Sequence, residues 1–362
     1  MITHACSRCL PAGLAVALLL TTSACRSLGL RAIERERLAY SLALSESIKT
    51  QALLNLVKLR YLDTPVFLDV GQIVSSDSLE TSVGMEAVYG FFGVHAWDSA
   101  KVNAGGKYTN RPTVTFTPLT GDKFMRAIVE PVPAVRILSL IESGYDARFA
   151  LETCVSSING LHNRNVTAAN VRLADEGFTR LMEMVSQAQA AGVIGFRLEK
   201  AVQGEPACVT VFRRRAGDAA AESACRQVKE LLGLDPEQER FVVVRGDARG
   251  SQGQLTMETR SMMQVLGSLA SYIEVPAEDM ASGRALAVPP LPTTGTPLFR
   301  VQCTPRKPGD AFCAVRFRDH WFWIDDRDRS SKRTISFVNL LFTLAGTGNE
   351  VSLPVLTIPA GG

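Results

Sequence analysis

The chain has 362 residues, of which 46% are hydrophobic and 21% charged, so it is long enough to bury a sizeable core. Lys and Arg number 39 against 36 Asp and Glu, a net charge of +3. This balance argues against a nucleic-acid-binding protein, which needs a basic patch or stripe, and it provides no polybasic segment that could hold a membrane surface.

The first 25 residues have the pattern of a secretory signal. Arg8 precedes an apolar run of about ten residues, which is too short for a transmembrane helix and typical of a signal peptide. Small residues at positions 22–24 then lead directly to Cys25. This ending resembles the bacterial lipoprotein signal, which implies that residues 1–24 are removed and that Cys25 is acylated.

The residue after Cys25 bears on the destination of the protein. An Asp there would suggest retention in the inner membrane, whereas this chain has Arg26. We therefore expect a lipid anchor at Cys25 in the outer membrane, with the body on the periplasmic face. The alternative is an ordinary signal cleaved near Ala24, which would leave Cys25 as a free thiol.

Five cysteines remain once the signal and the lipid anchor are set aside, and an odd number in an oxidising compartment predicts at least one free thiol. Cys303 and Cys313 are symmetric about Pro308 in a predicted hairpin, so they are candidates for a disulfide; Cys208 and Cys225 form a weaker candidate pair. None of the five forms a CxxC motif, which argues against redox catalysis and a zinc site.

Helices and hairpins come in separate runs rather than in strict βαβ alternation, which predicts an α+β fold with antiparallel meanders and an amphipathic N-terminal helix. The predicted segments are a signal peptide (1–24), a lipid-anchored helix plus β-meander (25–120), a helical region (121–192), an α+β region (193–287) and a C-terminal β-meander with a helix (288–362).

The segment after the first helix has two interpretations. After a helix over 31–62, strands over 66–74, 83–89 and 113–117, separated by a turn at Ser75–Ser78, predict a meander packed on that helix. Alternatively, small alternating residues within 81–117 form a membrane-inserted hairpin, and hairpins from several chains build a pore. Charged residues that interrupt the apolar faces count against the second interpretation; they are Glu86, Lys101 and Lys107.

The remaining elements follow from periodicity and from helix-capping residues. Thr120, Asp146, Asp218 and the pair Ser330 and Ser331 are candidate caps where helices are predicted to begin. Further helices are predicted over 122–129, 133–142, 146–160, 178–192, 218–232, 261–273 and 335–344, and strands over 193–200, 208–213, 241–245, 255–259, 298–303, 312–317 and 320–324.

Motifs for common chemistries are missing from the sequence. It has no HExxH, GxSxG, GxxxxGK or Rossmann glycine pattern. His95, His162 and His320 have no second ligand at metal-binding spacing, although a Ser–His–acid set assembled from distant positions stays possible. We interpret the acidic run Asp325–Asp328 as a solvated loop before a helix, and Trp321–Trp323 as mainly core.

Several strings resemble a family of uncharacterised proteobacterial lipoproteins. The similarity extends over nearly the whole mature chain, and it implies no activity and no site residues, because none is known for the family. The strings that carry it are residues 51–61 (QALLNLVKLRY), 64–70 (TPVFLDV), 111–121 (RPTVTFTPLTG), 158–161 (INGL), 321–326 (WFWIDD) and 354–359 (PVLTIP).

We therefore predict a non-enzymatic, lipid-anchored envelope protein that serves as a binding or accessory subunit of an assembly or secretion system. It would have a protein partner in the envelope, no nucleic-acid partner, no cofactor and no metal. Two alternatives stay open. One is a periplasmic hydrolase with a dispersed active site, and the other is an oligomeric pore built from the 81–117 hairpins.

Overall fold

A computed structural model describes residues 37–87, 100–166, 171–200, 206–213, 218–251, 253–286, 288 and 297–346. Helices and largely antiparallel sheets occur in separate runs, so the predicted α+β class is confirmed. The chain divides into two compact units. One is Val66–Phe124, and the other combines Met1–Pro65 with Met125–Gly362.

The smaller unit is a long β-hairpin. Strands β1 (Leu68–Ala87) and β2 (Ala100–Pro118) pair antiparallel from Leu68↔Pro118 to Ala87↔Ala100, with one irregularity between Val70 and Ile73. A short helix, α2 (Gly121–Phe124), follows. Within the described part of this unit, β1 and β2 are the only strands.

The hairpin replaces the predicted meander of three or four strands, which is wrong. Ser75–Ser78 form no turn, because they continue β1 and pair with residues 109–112 of β2. Ser and Asp favour turns only weakly when no Gly or Pro accompanies them, and pairing with a distant strand overrides that preference.

The larger unit begins with helix α1, described over residues 37–60, as the apolar periodicity predicts. Its second half is buried, with Leu53, Leu56 and Val57 inaccessible to solvent. Its first half is exposed, and Leu38 and Leu42 show 54% and 69% of their surface.

A helical stretch follows, in which α4 begins at a side-chain cap, as predicted. The Asp146 carboxylate accepts a hydrogen bond from the Phe149 N–H at 2.8 Å and caps α4. The helix predicted to run to Gly160 stops at Cys154, however, because Asn159 and Gly160 have positive φ angles and form a two-residue hairpin turn. The elements are a π-helical turn (Met125–Val129), α3 (Ala134–Glu142), α4 (Ala147–Cys154), β3 (Val155–Ile158), β4 (Leu161–His162), β5 (Asn165–Val166), β6 (Val171–Arg172) and α5 (Glu176–Ala190).

A six-stranded sheet with the order β4-β3-β10-β9-β8-β7 organises this unit. Neighbouring strands are antiparallel except β9 and β10, which run parallel. Asp218 caps α6, as predicted, and Ser261 caps α7 in a capping box with Gln264. The elements are β7 (Ile194–Lys200), β8 (Pro206–Phe212), α6 (Ala219–Leu232), β9 (Arg240–Arg245), β10 (Gln254–Thr259), α7 (Met262–Ala270) and α8 (Ala277–Ala281).

The C-terminal part has a three-stranded sheet and a final helix. The strands are β11 (Gln302–Thr304), β12 (Ala311–Phe317) and β13 (His320–Asp325), and the helix is α9 (Arg329–Gly346). Phe337 of α9 is buried and its ring lies 5.0 Å from that of Phe149, so α9 joins the core.

The predicted disulfide between Cys303 and Cys313 is wrong. The sheet order is β11-β13-β12, so β13 lies between the two cysteines, which face Phe322 and Ile324 respectively. Two strand spacings amount to about 9.6 Å, beyond the Cα separation of about 7 Å that a disulfide tolerates. Neither cysteine forms a disulfide, and Cys208 and Cys225 do not form one either.

Candidate functional site

The predicted lipidation site, Cys25, lies outside the described residues, as do the rest of the signal peptide and the string at 354–359. Acylation of Cys25 therefore stays a prediction. Four aromatic residues between β1 and β2 also lie outside the described residues; they are Tyr89, Phe91, Phe92 and Trp97.

The far end of the hairpin has an uncharged face. From residue 73 to residue 87 the pairing is regular, so odd-numbered positions of β1 and the even-numbered positions opposite them on β2 share one face. Beyond Asp77↔Asn110, this face has no charged residue. Its five register pairs are Leu79↔Tyr108, Thr81↔Gly106, Val83↔Ala104, Met85↔Val102 and Ala87↔Ala100. We call these ten positions the apolar face.

The opposite face of the same stretch holds the charged residues. Glu86 pairs with Lys101, and Glu80 pairs with Lys107, so each register pair matches an acid with a base. Ser82, on the same face, donates a hydrogen bond to the Gly105 carbonyl at 3.3 Å. We call this the polar face. The expectation that the charges interrupt the apolar faces is wrong, because all of them lie on this one side.

Three arginines form a second cluster, in the larger unit; Arg60 and Arg260 are buried and Arg164 is half-buried. The Arg60 Nε donates to the Ile273 carbonyl at 3.2 Å, and its Nη1 donates to the Leu286 carbonyl. Arg260 is 3% exposed and donates to the carbonyls of Glu152, Thr153 and Arg164, while burial lowers its pKa to about 10.

The third member, Arg164, donates to the Ser271 hydroxyl at 2.8 Å and lies 5.2 Å from the Tyr272 ring centroid. Within the described ranges, no carboxylate forms an ion pair with any of the three guanidinium groups. Arg60 and Arg260 join backbone carbonyls of distant segments, and Arg164 joins the loop after β4 to Ser271, so the role of the cluster is structural.

A cavity of about 250 Å³ lies beside Arg60 and α7. Its lining is mainly aliphatic and includes Leu59, Met263 and Leu286. The three polar lining side chains are engaged elsewhere. Arg60 donates to two carbonyls, Gln264 accepts a hydrogen bond from the Ser261 N–H, and Ser271 is held by Arg164. The cavity therefore offers apolar surface and no group placed for acid–base or nucleophilic chemistry.

One serine, one histidine and one acid do come together, on β3, β4 and the start of α5. Ser157 faces His162 in the register, and the His162 Nδ1 lies 3.3 Å from the Asp175 carboxylate. Ser157 is fully buried, however, and its hydroxyl has no hydrogen-bond partner among the described residues. These three residues therefore do not form a hydrolytic triad, because the serine hydroxyl makes no hydrogen bond to the histidine and is closed off from solvent.

The acidic run after β13 has a local role. The Asp328 carboxylate accepts hydrogen bonds from the Ser331 N–H at 3.0 Å and the Ser331 hydroxyl at 2.6 Å, which caps α9. The predicted cap at Ser330 and Ser331 is wrong, because α9 begins at Arg329 and includes both serines. Asp326 pairs with Lys332 at 2.7 Å. In the part of the chain that the structure describes, no group of three His, Cys, Asp or Glu side chains is arranged to hold a metal ion.

Two of the strings that carry the family resemblance, 51–61 and 158–161, are largely buried. The Tyr61 hydroxyl donates to Asp279 at 2.7 Å, and burial together with this bond raises the pKa of Tyr61. Asn159 of the 158–161 string accepts hydrogen bonds from Thr256 and donates to the Leu232 carbonyl. These residues fix the fold.

Among the described helices, none is both long and apolar enough to cross a membrane.

Comparison of the chain with known protein families, with curated proteins and with solved structures found no match in any of the three.

Proposed function

We propose that this protein is a lipid-anchored, non-enzymatic component of the bacterial envelope that inserts the far end of the β1–β2 hairpin into a lipid bilayer. The observation that supports the proposal is the register of the hairpin, which sorts apolar and charged positions onto opposite faces. This interpretation develops the pore alternative of the sequence rather than the accessory-subunit prediction.

The length of the apolar face fits a bilayer. It spans residues 79–87 on β1 and 100–108 on β2, nine positions on each strand. A membrane-crossing strand needs about 9–11 residues when it is tilted by about 45°. The stretch ends at Asp77↔Asn110, where Asp77 is the first charged residue on that face, with Tyr108 just inside the boundary. Tyrosine is enriched at the level of the lipid headgroups, so this end has the composition of a membrane interface.

The alternation is the pattern of a strand with lipid on one side and water on the other. Transmembrane strands alternate apolar and polar positions with a period of two, and the hairpin follows this rule over five consecutive pairs on each face. A two-stranded ribbon is at best marginally stable alone in water, so burial of the apolar face in lipid would stabilise it.

The sequence contributes two further features. A lipid anchor at Cys25 would hold the protein at a membrane, and anchoring is firm when two signals act together, here acyl chains and the hairpin. The 12 residues between β1 and β2, positions 88–99, include four aromatic residues and a single carboxylate. Aromatic side chains favour the membrane interface, which suits the end of an inserted hairpin.

Photolabelling from within the bilayer tests the proposal on the unmodified lipoprotein. Vesicles of phosphatidylethanolamine and phosphatidylglycerol would carry an acyl-chain diazirine, and labelled residues would be identified by peptide mass spectrometry. We expect labels at Val83, Met85 and Val102, and none at the neighbouring Ser82 and Glu86. Labels on both faces alike, or no label on the hairpin while other sites are labelled, would contradict insertion in this register.

A further inference from the structure

The two long edges of the hairpin carry backbone N–H and C=O groups that insertion alone would leave without hydrogen-bond partners. β1 and β2 pair only with each other, so no other described strand pairs with the outer backbone groups of either. In an antiparallel pair, every second residue points its N–H and C=O away from its partner strand. Water can satisfy these groups, whereas the hydrocarbon core of a bilayer cannot.

We infer that other copies of this chain cover both edges, so that β1 of one copy pairs with β2 of the next and the inserted hairpins form a closed ring. The inference rests on the proposed function, because only insertion into lipid makes the open edges untenable. Since β1 and β2 are antiparallel, a repeated β1-β2-β1-β2 order keeps every neighbouring pair antiparallel.

The distribution of charge favours copies of the same chain over a different partner. In a ring, the apolar faces of all copies point to lipid and the polar faces point inward together. Each hairpin contributes Glu80 and Glu86 with Lys101 and Lys107 to the inside, which gives no net charge over this stretch. Copies can therefore approach one another without like-charge repulsion, and the enclosed space is polar enough to hold water.

The number of strands limits the size of the assembly. Closed sheets of about eight strands are filled by their own side chains, and those of about 16 strands enclose an aqueous channel. Two strands from each copy imply about eight copies or more for an open, polar-lined channel. Such a channel would pass small solutes of either charge, since the polar face carries equal numbers of acidic and basic residues.

Cross-linking between copies tests the ring. One lipoprotein would carry Ser78→Cys on β1, and a second would carry Thr109→Cys, Gly105→Cys or Lys101→Cys on β2. Because each chain has only one new cysteine, a disulfide between the two variants must join separate copies. We expect at least one combination to give a mixed dimer after oxidation in vesicles. The matched control places Ser251→Cys, on an exposed loop of the larger unit, in both chains and should give none.

Two further measurements separate the possible outcomes. The mass of the detergent-solubilised lipoprotein should be a multiple of the single-chain mass, and planar bilayers should show stepwise conductance. Lipid labelling of the apolar face together with a monomeric mass and no cross-link would overturn the ring but leave insertion intact. An absence of lipid labelling would refute insertion, and the ring with it.

Discussion

A lysine at the centre of the apolar face should prevent insertion, whereas a lysine at the adjacent position should not. Val83 is the fifth of the nine positions 79–87, and Ala104 opposite it is the fifth of 100–108. Ser82 lies next to Val83 on the polar face. Val83→Lys and Ser82→Lys therefore add the same charge one residue apart, on faces that differ in their proposed surroundings.

The size of the effect follows from depth. Nine residues at about 3.3 Å each give a stretch of about 30 Å, which spans about 23 Å across a membrane at a tilt of about 40°. Position 83 then lies about 11 Å from either boundary, where a lysine facing lipid costs about 2–4 kcal/mol. With a factor of ten for about 1.4 kcal/mol, insertion of Val83→Lys should fall roughly 30- to 1,000-fold.

Lipid photolabelling at Met85 and Val102 gives the readout, because both positions lie on the apolar face and neither is altered. Ser82→Lys should label as the unmodified lipoprotein does, since a substitution on a water-facing side changes stability by about 0.5 kcal/mol or less. Thermal unfolding of the larger unit is the control for correct folding of both variants. Equal loss of labelling in the two variants, or unchanged labelling in Val83→Lys, would refute the assignment of the faces.

Three predictions concern the larger unit. Arg260→Ala removes the donor for three buried carbonyls and should lower the free energy of unfolding in urea by about 3 kcal/mol, while a loss below about 0.5 kcal/mol would rule out the assigned role. The hydrogen bond from Tyr61 holds the pKa of Asp279 below its usual range, so its stabilising effect is present above pH ~4 and is lost as the pH falls through the lowered pKa; Asp279→Asn should flatten this acid limb of the stability curve, and an unchanged limb would contradict it. Burial raises the pKa of Cys303 to about 11 and of Cys313 to about 12, so both thiols should react with maleimide only after denaturation and without any reductant, as read by peptide mass.

Features that depend on neighbouring residues were predictable from the sequence. Asp146 and Asp218 each cap the helix that they were predicted to begin, because a cap needs only a side-chain oxygen and an N–H two or three residues later. The α+β class followed from the same local periodicity. Helix α4 ended early because Asn159 and Gly160 form a tight turn, and the sequence INGL could have indicated that turn.

Features that depend on pairing between distant strands were not predictable. The strands around Pro308 suggested that Cys303 and Cys313 were neighbours, but a third strand, β13, intervenes. Nothing in the sequence indicates that Arg260 and Arg60 are buried, because the carbonyls to which they donate belong to distant segments. Strand register has the same character, since a slip of one residue moves every position to the other face.

Register also reverses the argument about the hairpin. As separate points along the sequence, Glu86, Lys101 and Lys107 counted against contact with a membrane. In the paired strands, they share one face with Glu80. The opposite face is uncharged along a stretch of nine residues of each strand. These charged residues therefore do not interrupt the apolar face, because they lie on the polar face.

A single arrangement removes the two physical difficulties of this hairpin. In water, the apolar face of the ribbon gains nothing from burial, and two strands alone are marginally stable. In a bilayer, a lone hairpin buries that face but exposes unpaired N–H and C=O groups and Glu and Lys side chains to hydrocarbon, which is costly for both. A ring of copies pairs the edges, turns the charged faces toward enclosed water and leaves only the apolar faces toward lipid. The proposals of insertion and assembly therefore support each other. Insertion buries the apolar face, and assembly satisfies the edge N–H and C=O groups and keeps the charged side chains in water.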